Sequence, residues 1–134
     1  LKAVTPLLVE MSGFSHVFVL LDDVELKPSF ALKDALDIMS RNNLSVASPA
    51  IDGSVMWASK VHDYGHNDYA IGHRVHIIEI FATLFAWDGW RCWHDLLDPV
   101  VNSAGWGYDK ALFNNCQRTY PDFDMGVLDS MVAK

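Results

Sequence analysis

The chain has 134 residues, a formal charge of −7 and an apolar share of 51%; this suits one domain, residues 1–134, with a core of its own and excludes a disordered chain. With a sequence pI near 5.1, nucleic acid is excluded as a general partner, because phosphate backbones repel a chain of this sign.

The apolar N-terminal stretch is broken by Lys2, Glu10 and His16, so it reads neither as a membrane span nor as a signal peptide. The first residue is Leu1, not Met, which is read as a fragment boundary. The run from His16 to Leu21, ended by Asp22-Asp23, is continuous and rich in β-formers, the pattern of a buried parallel strand. Pro28-Ser29 is expected to open a helix with Ser29 as N-cap. Leu32, Ala35, Leu36 and Met39 form its apolar face, and Asn42-Asn43 ends it. Leu44 to Ala47 is expected to be a short strand stopped by Pro49. Strand, helix and strand in this order predict a βαβ unit and a parallel sheet. Residues 52–74 are polar and read as a long loop.

Arg74 to Phe85 is expected to be one long apolar strand carrying a single carboxylate, Glu79. Asp88 is expected to cap a helix through Leu97 with Trp90, Trp93 and Leu97 on one face, and Pro99 ends it. Gly105-Trp106-Gly107 predicts a turn, followed by a helix from Tyr108 to Tyr120 and a last strand from Met125 to Asp129. The fold class expected is α/β, with a mixed, mostly parallel sheet flanked by helices. Cys92 and Cys116 are expected to be buried thiols, the default for small apolar cysteines, with a single bridge as the alternative.

Four groups carry candidate chemistry. Asp22 and Asp23 place adjacent carboxylates at a strand's C-terminal end, where ligands bind open α/β sheets. Like charges this close call for a cation, and Mg²⁺ or Mn²⁺ favours such oxygens; a solvated turn is the alternative. In strict alternation Glu79 shares a strand face with Val75, Ile77 and Phe81. It either lines a cleft or pairs with Arg74 or Arg91. In Gly105-Trp106-Gly107-Tyr108-Asp109 the glycines permit close approach of a ligand. Asp109 falls in the first helical turn, where the dipole favours its ionised form, as a general base for a hydroxyl or simply as a helix-terminal acid. His62, His66, His73 and His76 match no zinc spacing and read as exposed loop histidines.

Together the runs Val-Phe-Val-Leu-Leu-Asp-Asp-Val-Glu-Leu, Asn-Leu-Ser-Val-Ala-Ser-Pro-Ala-Ile-Asp, Val-His-Ile-Ile-Glu-Ile-Phe-Ala-Thr-Leu-Phe, Gly-Trp-Gly-Tyr-Asp and Met-Gly-Val-Leu-Asp-Ser resemble glycosyltransferase-like proteins of domain-of-unknown-function family 707. The resemblance spans residues 14–134. It implies a GT-A-like fold, the acceptor and metal side of a sugar-transfer domain, with Mn²⁺ or Mg²⁺ held by Asp22 and Asp23 on the diphosphate of a nucleotide-sugar donor. It assigns catalytic roles to Asp109, as base, and to Glu79, facing the cleft. Trp106, Gly107 and Tyr108 would bind substrate, a carbohydrate or glycoconjugate acceptor. A lumenal, Golgi or secretory location follows from the same resemblance. Leu21 stands where family members often have a third acid, and the family's later His falls beyond Lys134. The N-terminal nucleotide-binding segment of about one hundred residues is expected to be missing or supplied by a partner chain. The alternative is a non-catalytic carbohydrate- or protein-binding module on the same core.

Overall fold

A computed structural model describes residues 13–54, 71–98, 100–102 and 107–134. The elements in chain order are β1 (His16–Leu20), α1 (Leu32–Asn42), β2 (Val46–Ile51), β3 (His73–Arg74), β4 (Ala82–Ala86), α2 (Trp87–Leu96), α3 (Tyr108–Thr119) and β5 (Met125–Ala133). The five strands form one open sheet in the order β1-β4-β2-β5-β3. The fold is therefore α/β with a mixed sheet, as expected. The expectation of a mostly parallel sheet needs correction. Strands β1, β2 and β5 run the same way, but among the described residues only β2 and β5 are parallel neighbours. The β1-α1-β2 unit is not a simple crossover to an adjacent strand, because β4 inserts between β1 and β2 and pairs antiparallel with both.

Alternation along each strand divides the core in two. Val17 and Val19 of β1 face a cluster with Phe85, Trp90, Trp93, Leu112 and Phe123, so α2 and α3 cover that face. Phe18 faces the other way, toward Ala35 and Met39 of α1 with Leu84, Leu128 and Met131. Three layers result, with helices on both sides of the sheet. On the first face Phe85 stacks on Trp93 with centroids 5.1 Å apart and meets Trp90 edge-on at 5.9 Å, arrangements that suit the ring quadrupole. The disulfide Cys92–Cys116 ties α2 to α3 across 24 residues, which corrects the expectation of two thiols. Both cysteines sit on inward helix faces and are buried; the pairing was invisible to spacing alone because it depends on how the two helices lie together.

Several local expectations also change. Ser29 does not cap α1; its Oγ accepts a hydrogen bond from Val132 N, and Ala31 is the N-cap. The helix ends as expected, at Asn43, whose φ of 51° is the left-handed C-terminal conformation that Asn tolerates. Pro49 does not stop β2. The strand continues to Ile51 because its ladder to β5 shifts register between Pro49 and Ala50, and an irregularity of this kind tolerates a missing N–H. The long strand expected over 74–85 is two short pieces, β3 and β4, joined by residues 75–81 outside any strand. Val75 and Ile78 of this connection are buried, so its apolar run reflects core packing without a ladder. At the other end of the chain β5 extends past Asp129 to Ala133, held by Glu25 N to Lys134 O at 2.8 Å and by Lys27 N to Val132 O at 2.9 Å.

Candidate functional site

Candidate residues lie at both ends of the sheet. At the first, the C-terminal ends of β1, β2 and β5 lie together. The chain leaves β1 at Leu20, turns at Asp22-Asp23 and pairs by Glu25 to Lys27 with the end of β5. Strands β4 and β2 lie between β1 and β5, and neighbouring strands are about 4.8 Å apart. The Asp22-Asp23 turn must therefore cross the edge of the sheet. Leu21 N donates to Phe81 O at 2.8 Å, which brings the Glu79 segment to the same edge. Asp52 N donates to Ala133 O at 2.8 Å and adds a second turn there.

Asp22 and Asp23 are exposed, and Glu79 is half-buried. Among the described residues none of the three carboxylates has a side-chain hydrogen bond or ion pair. Glu79 does not pair with Arg74, which bridges to Asp124 and donates to Asn42 O at 2.9 Å. The strand-alternation argument for Glu79 also falls, because residue 79 is not in a strand. Its position comes instead from the loop that feeds β4, where its carbonyl accepts from Thr83 Oγ1 at 3.3 Å and from Phe81 N at 3.2 Å. Asp109 lies in the first turn of α3 behind Gly107, whose φ of 86° explains why glycine precedes that helix. Tyr108 links two elements. Its hydroxyl accepts from Asp98 N at 2.8 Å and locks the entry of α3 to the exit of α2. Trp106, together with Gly105, lies outside the described residues, as do His62 and His66.

No group of three or more His, Cys, Asp or Glu side chains poised for a metal is present among the described residues. The donor chemistry of Asp22 and Asp23 nevertheless fits Mg²⁺ or Mn²⁺. These ions are commonly held by one or two carboxylates with waters and substrate phosphates completing the shell, so a closed protein cage is not needed.

The second end is where the structure opens a cleft of about 920 Å³. None of Asp22, Asp23, Glu79, Gly107, Tyr108 or Asp109 lines it. It sits at the N-terminal ends of β1, β2 and β5, bordered by His16, Ser45, Arg74, His76, Asp88 and Asp124. Ala86 N donates to Ser45 O at 2.9 Å, and both Ser45 N and Val46 N donate to Asp124 O. Ser45 Oγ donates to Asp88 Oδ2 at 2.5 Å. Helix α2 approaches so closely that a Cβ on Gly89 would collide with Ser45 O. His16 shares this corner: burial lowers its pKa from 6.5, and the nearby Asp88 carboxylate partly offsets the shift. The imidazole of His76 stacks on Phe113 with centroids 4.1 Å apart.

These residues come from five separate segments, and no spacing in the sequence links them. Asp88 read as a helix cap and Arg74 and His76 as parts of a strand or loop, so their convergence was hidden. The nearest signal was the unbroken run of polar and amide residues at Ser40, Asn42 and Asn43 where α1 ends.

The class defined by this architecture is an open, mixed α/β sheet with helices on both faces and exposed carboxylates across the C-terminal edge. Comparison with known protein families, with curated proteins and with solved structures finds no match. Among the described residues no helix is long and apolar enough to cross a membrane.

Proposed function

We propose that this chain is the metal- and acceptor-side part of a GT-A-like glycosyltransferase domain, which transfers a sugar from a nucleotide-diphosphate donor to a carbohydrate or glycoconjugate acceptor. One observation carries the reading: the Asp22-Asp23 turn crosses the C-terminal edge of the sheet, with carboxylates that no described side chain neutralises. Ligands of open α/β sheets bind at that edge. Asp22 and Asp23 are the residues that would hold Mn²⁺ or Mg²⁺, which when bound offsets the charge of the leaving diphosphate.

Asp109 is the proton acceptor in this reading. As the acceptor oxygen bonds to the anomeric carbon, its proton passes to the Asp109 carboxylate, and the diphosphate leaves with the electron pair of the broken C–O bond. Glu79, half-buried at the same edge as the Asp22-Asp23 turn, positions acceptor hydroxyls by accepting their hydrogen bonds. The Cys92–Cys116 bridge favours an oxidising compartment, in keeping with a secretory lumen.

The test is thermal melting with Mn²⁺ plus UDP or GDP, on wild type and on Asp23→Ala. A ligand that binds only the folded chain raises the melting point, by about 2.7 kcal/mol of added stability at one hundred times Kd. A rise in wild type that is absent in Asp23→Ala supports the transferase reading. No rise in wild type removes the metal–diphosphate site from this chain. A non-catalytic binding module then becomes the better reading, favoured by the large cleft at the opposite end of the sheet.

A further inference from the structure

We propose that the cleft at the His16–Asp88 end of the sheet is a binding site for a neutral oligosaccharide, remote from the Asp22-Asp23 edge. The inference stands whether or not the chain transfers sugar; it deepens the binding-module reading by naming a site and a ligand class.

The volume of about 920 Å³ is near the upper end of the roughly 300–1,000 Å³ of small-ligand sites, which leaves room for more than one sugar unit. Charge selects against anions. Asp88, Asp122 and Asp124 line the cleft against a single guanidinium, Arg74, and that guanidinium is already bridged to Asp124. A phosphate or nucleotide would meet net negative charge. Cations are poorly served as well, because two of the three acids are occupied: Asp124 by Arg74 and Asp88 by the buried Ser45 hydroxyl.

Such carboxylates are oriented acceptors with spare lone pairs. A sugar hydroxyl, which donates and accepts at once, suits them. The amides of Asn43 and Gln117 on the same lining offer paired donors and acceptors of the kind that engage neighbouring hydroxyls, whereas the Asn42 side-chain nitrogen already donates to Ile38 O at 2.8 Å. The apolar face of a pyranose needs a flat partner. His76 supplies one: its ring is backed by Phe113 at 4.1 Å with 21° between planes, while the residue itself remains exposed and lines the cleft. Backing by a buried phenyl ring fixes the imidazole without covering its outer side, so little side-chain freedom is lost on binding.

The experiment is an amide chemical-shift titration of the full chain with cellotetraose, mannotetraose and xylotetraose, alongside spermidine and tripolyphosphate. The expected result is binding of at least one oligosaccharide with Kd on the order of millimolar, with shifts grouped at residues 74–76, 113–117 and 122–124. Asp23→Ala is expected to leave it unchanged. His76→Ala is expected to weaken it about tenfold, while His76→Phe, which keeps a flat ring, retains it; melting curves show that each variant is folded. Shifts with spermidine or tripolyphosphate and none with the sugars would overturn the proposal, as would no response to any sugar. Sugar shifts confined to the Asp22-Asp23 edge, or wild-type affinity in His76→Ala, would overturn it equally.

Discussion

Removing the Cys92–Cys116 bridge tests how far α2 and α3 depend on each other. The bond closes a loop over a sequence separation of 24. In the chain-entropy account such a cross-link is worth about 3.5 kcal/mol at 25 °C. Unfolding entropy near 2.1 cal/mol/K per residue over 134 residues amounts to roughly 0.28 kcal/mol/K, so the melting point should fall by roughly 12 °C. Both cysteines are buried, so the thiols of the reduced protein still fill their places, and the loss is largely loop entropy. Substituting both with Ala adds a small cavity term on top. The assay is thermal melting followed by circular dichroism on oxidised protein, on protein reduced under denaturing conditions and refolded in reductant, and on Cys92→Ala/Cys116→Ala. A reduced form melting within about 2 °C of the oxidised form would refute the reasoning and show that helix packing alone holds the pair.

Three further outcomes are expected. Gly89→Ala should destabilise by about 1–3 kcal/mol, read from urea midpoints, because its Cβ would collide with the backbone of Ser45. His16, whose pKa burial pushes below 6.5, binds fewer protons folded than unfolded in that window. Stability should therefore be full above pH 6.5 and decline as pH falls toward the folded value, and His16→Gln should flatten that slope in urea titrations run across the same range. Trp93 buries an indole N–H with no hydrogen-bond partner among the described residues. Trp93→Phe removes that orphan donor, worth about 1–3 kcal/mol, against a comparable loss of ring packing, so its urea midpoint should imply a net change within about 1 kcal/mol.

The sequence by itself determined the periodic parts of the protein. The spacing of Ala35 and Met39 placed α1, and both are buried where the pattern put them. Trp90 and Trp93 marked the inner face of α2, and Gly107 and Asn43 marked helix boundaries through their backbone preferences. The turn at Asp22-Asp23 was also legible, because a β-rich apolar run ending in two acids has few other readings. These features are local: they depend on residues a few positions apart, and the period of helix or strand is written in that spacing.

What only the tertiary structure decided is everything that depends on neighbours far along the chain. An apolar run such as 75–81 is equally apolar whether it packs as a strand or as a buried connection, so Glu79 lost its strand face although its residues were read correctly. β4 sits between β1 and β2 because sheet order is set by how two cores close over opposite faces, and no periodicity records that choice. Cys92 and Cys116 meet because α2 and α3 cover the same face of the sheet. The cleft of His16, Ser45, His76, Asp88 and Asp124 joins five segments through backbone hydrogen bonds such as Ser45 N to Asp124 O. Its chemistry exists only when those strand ends are brought together.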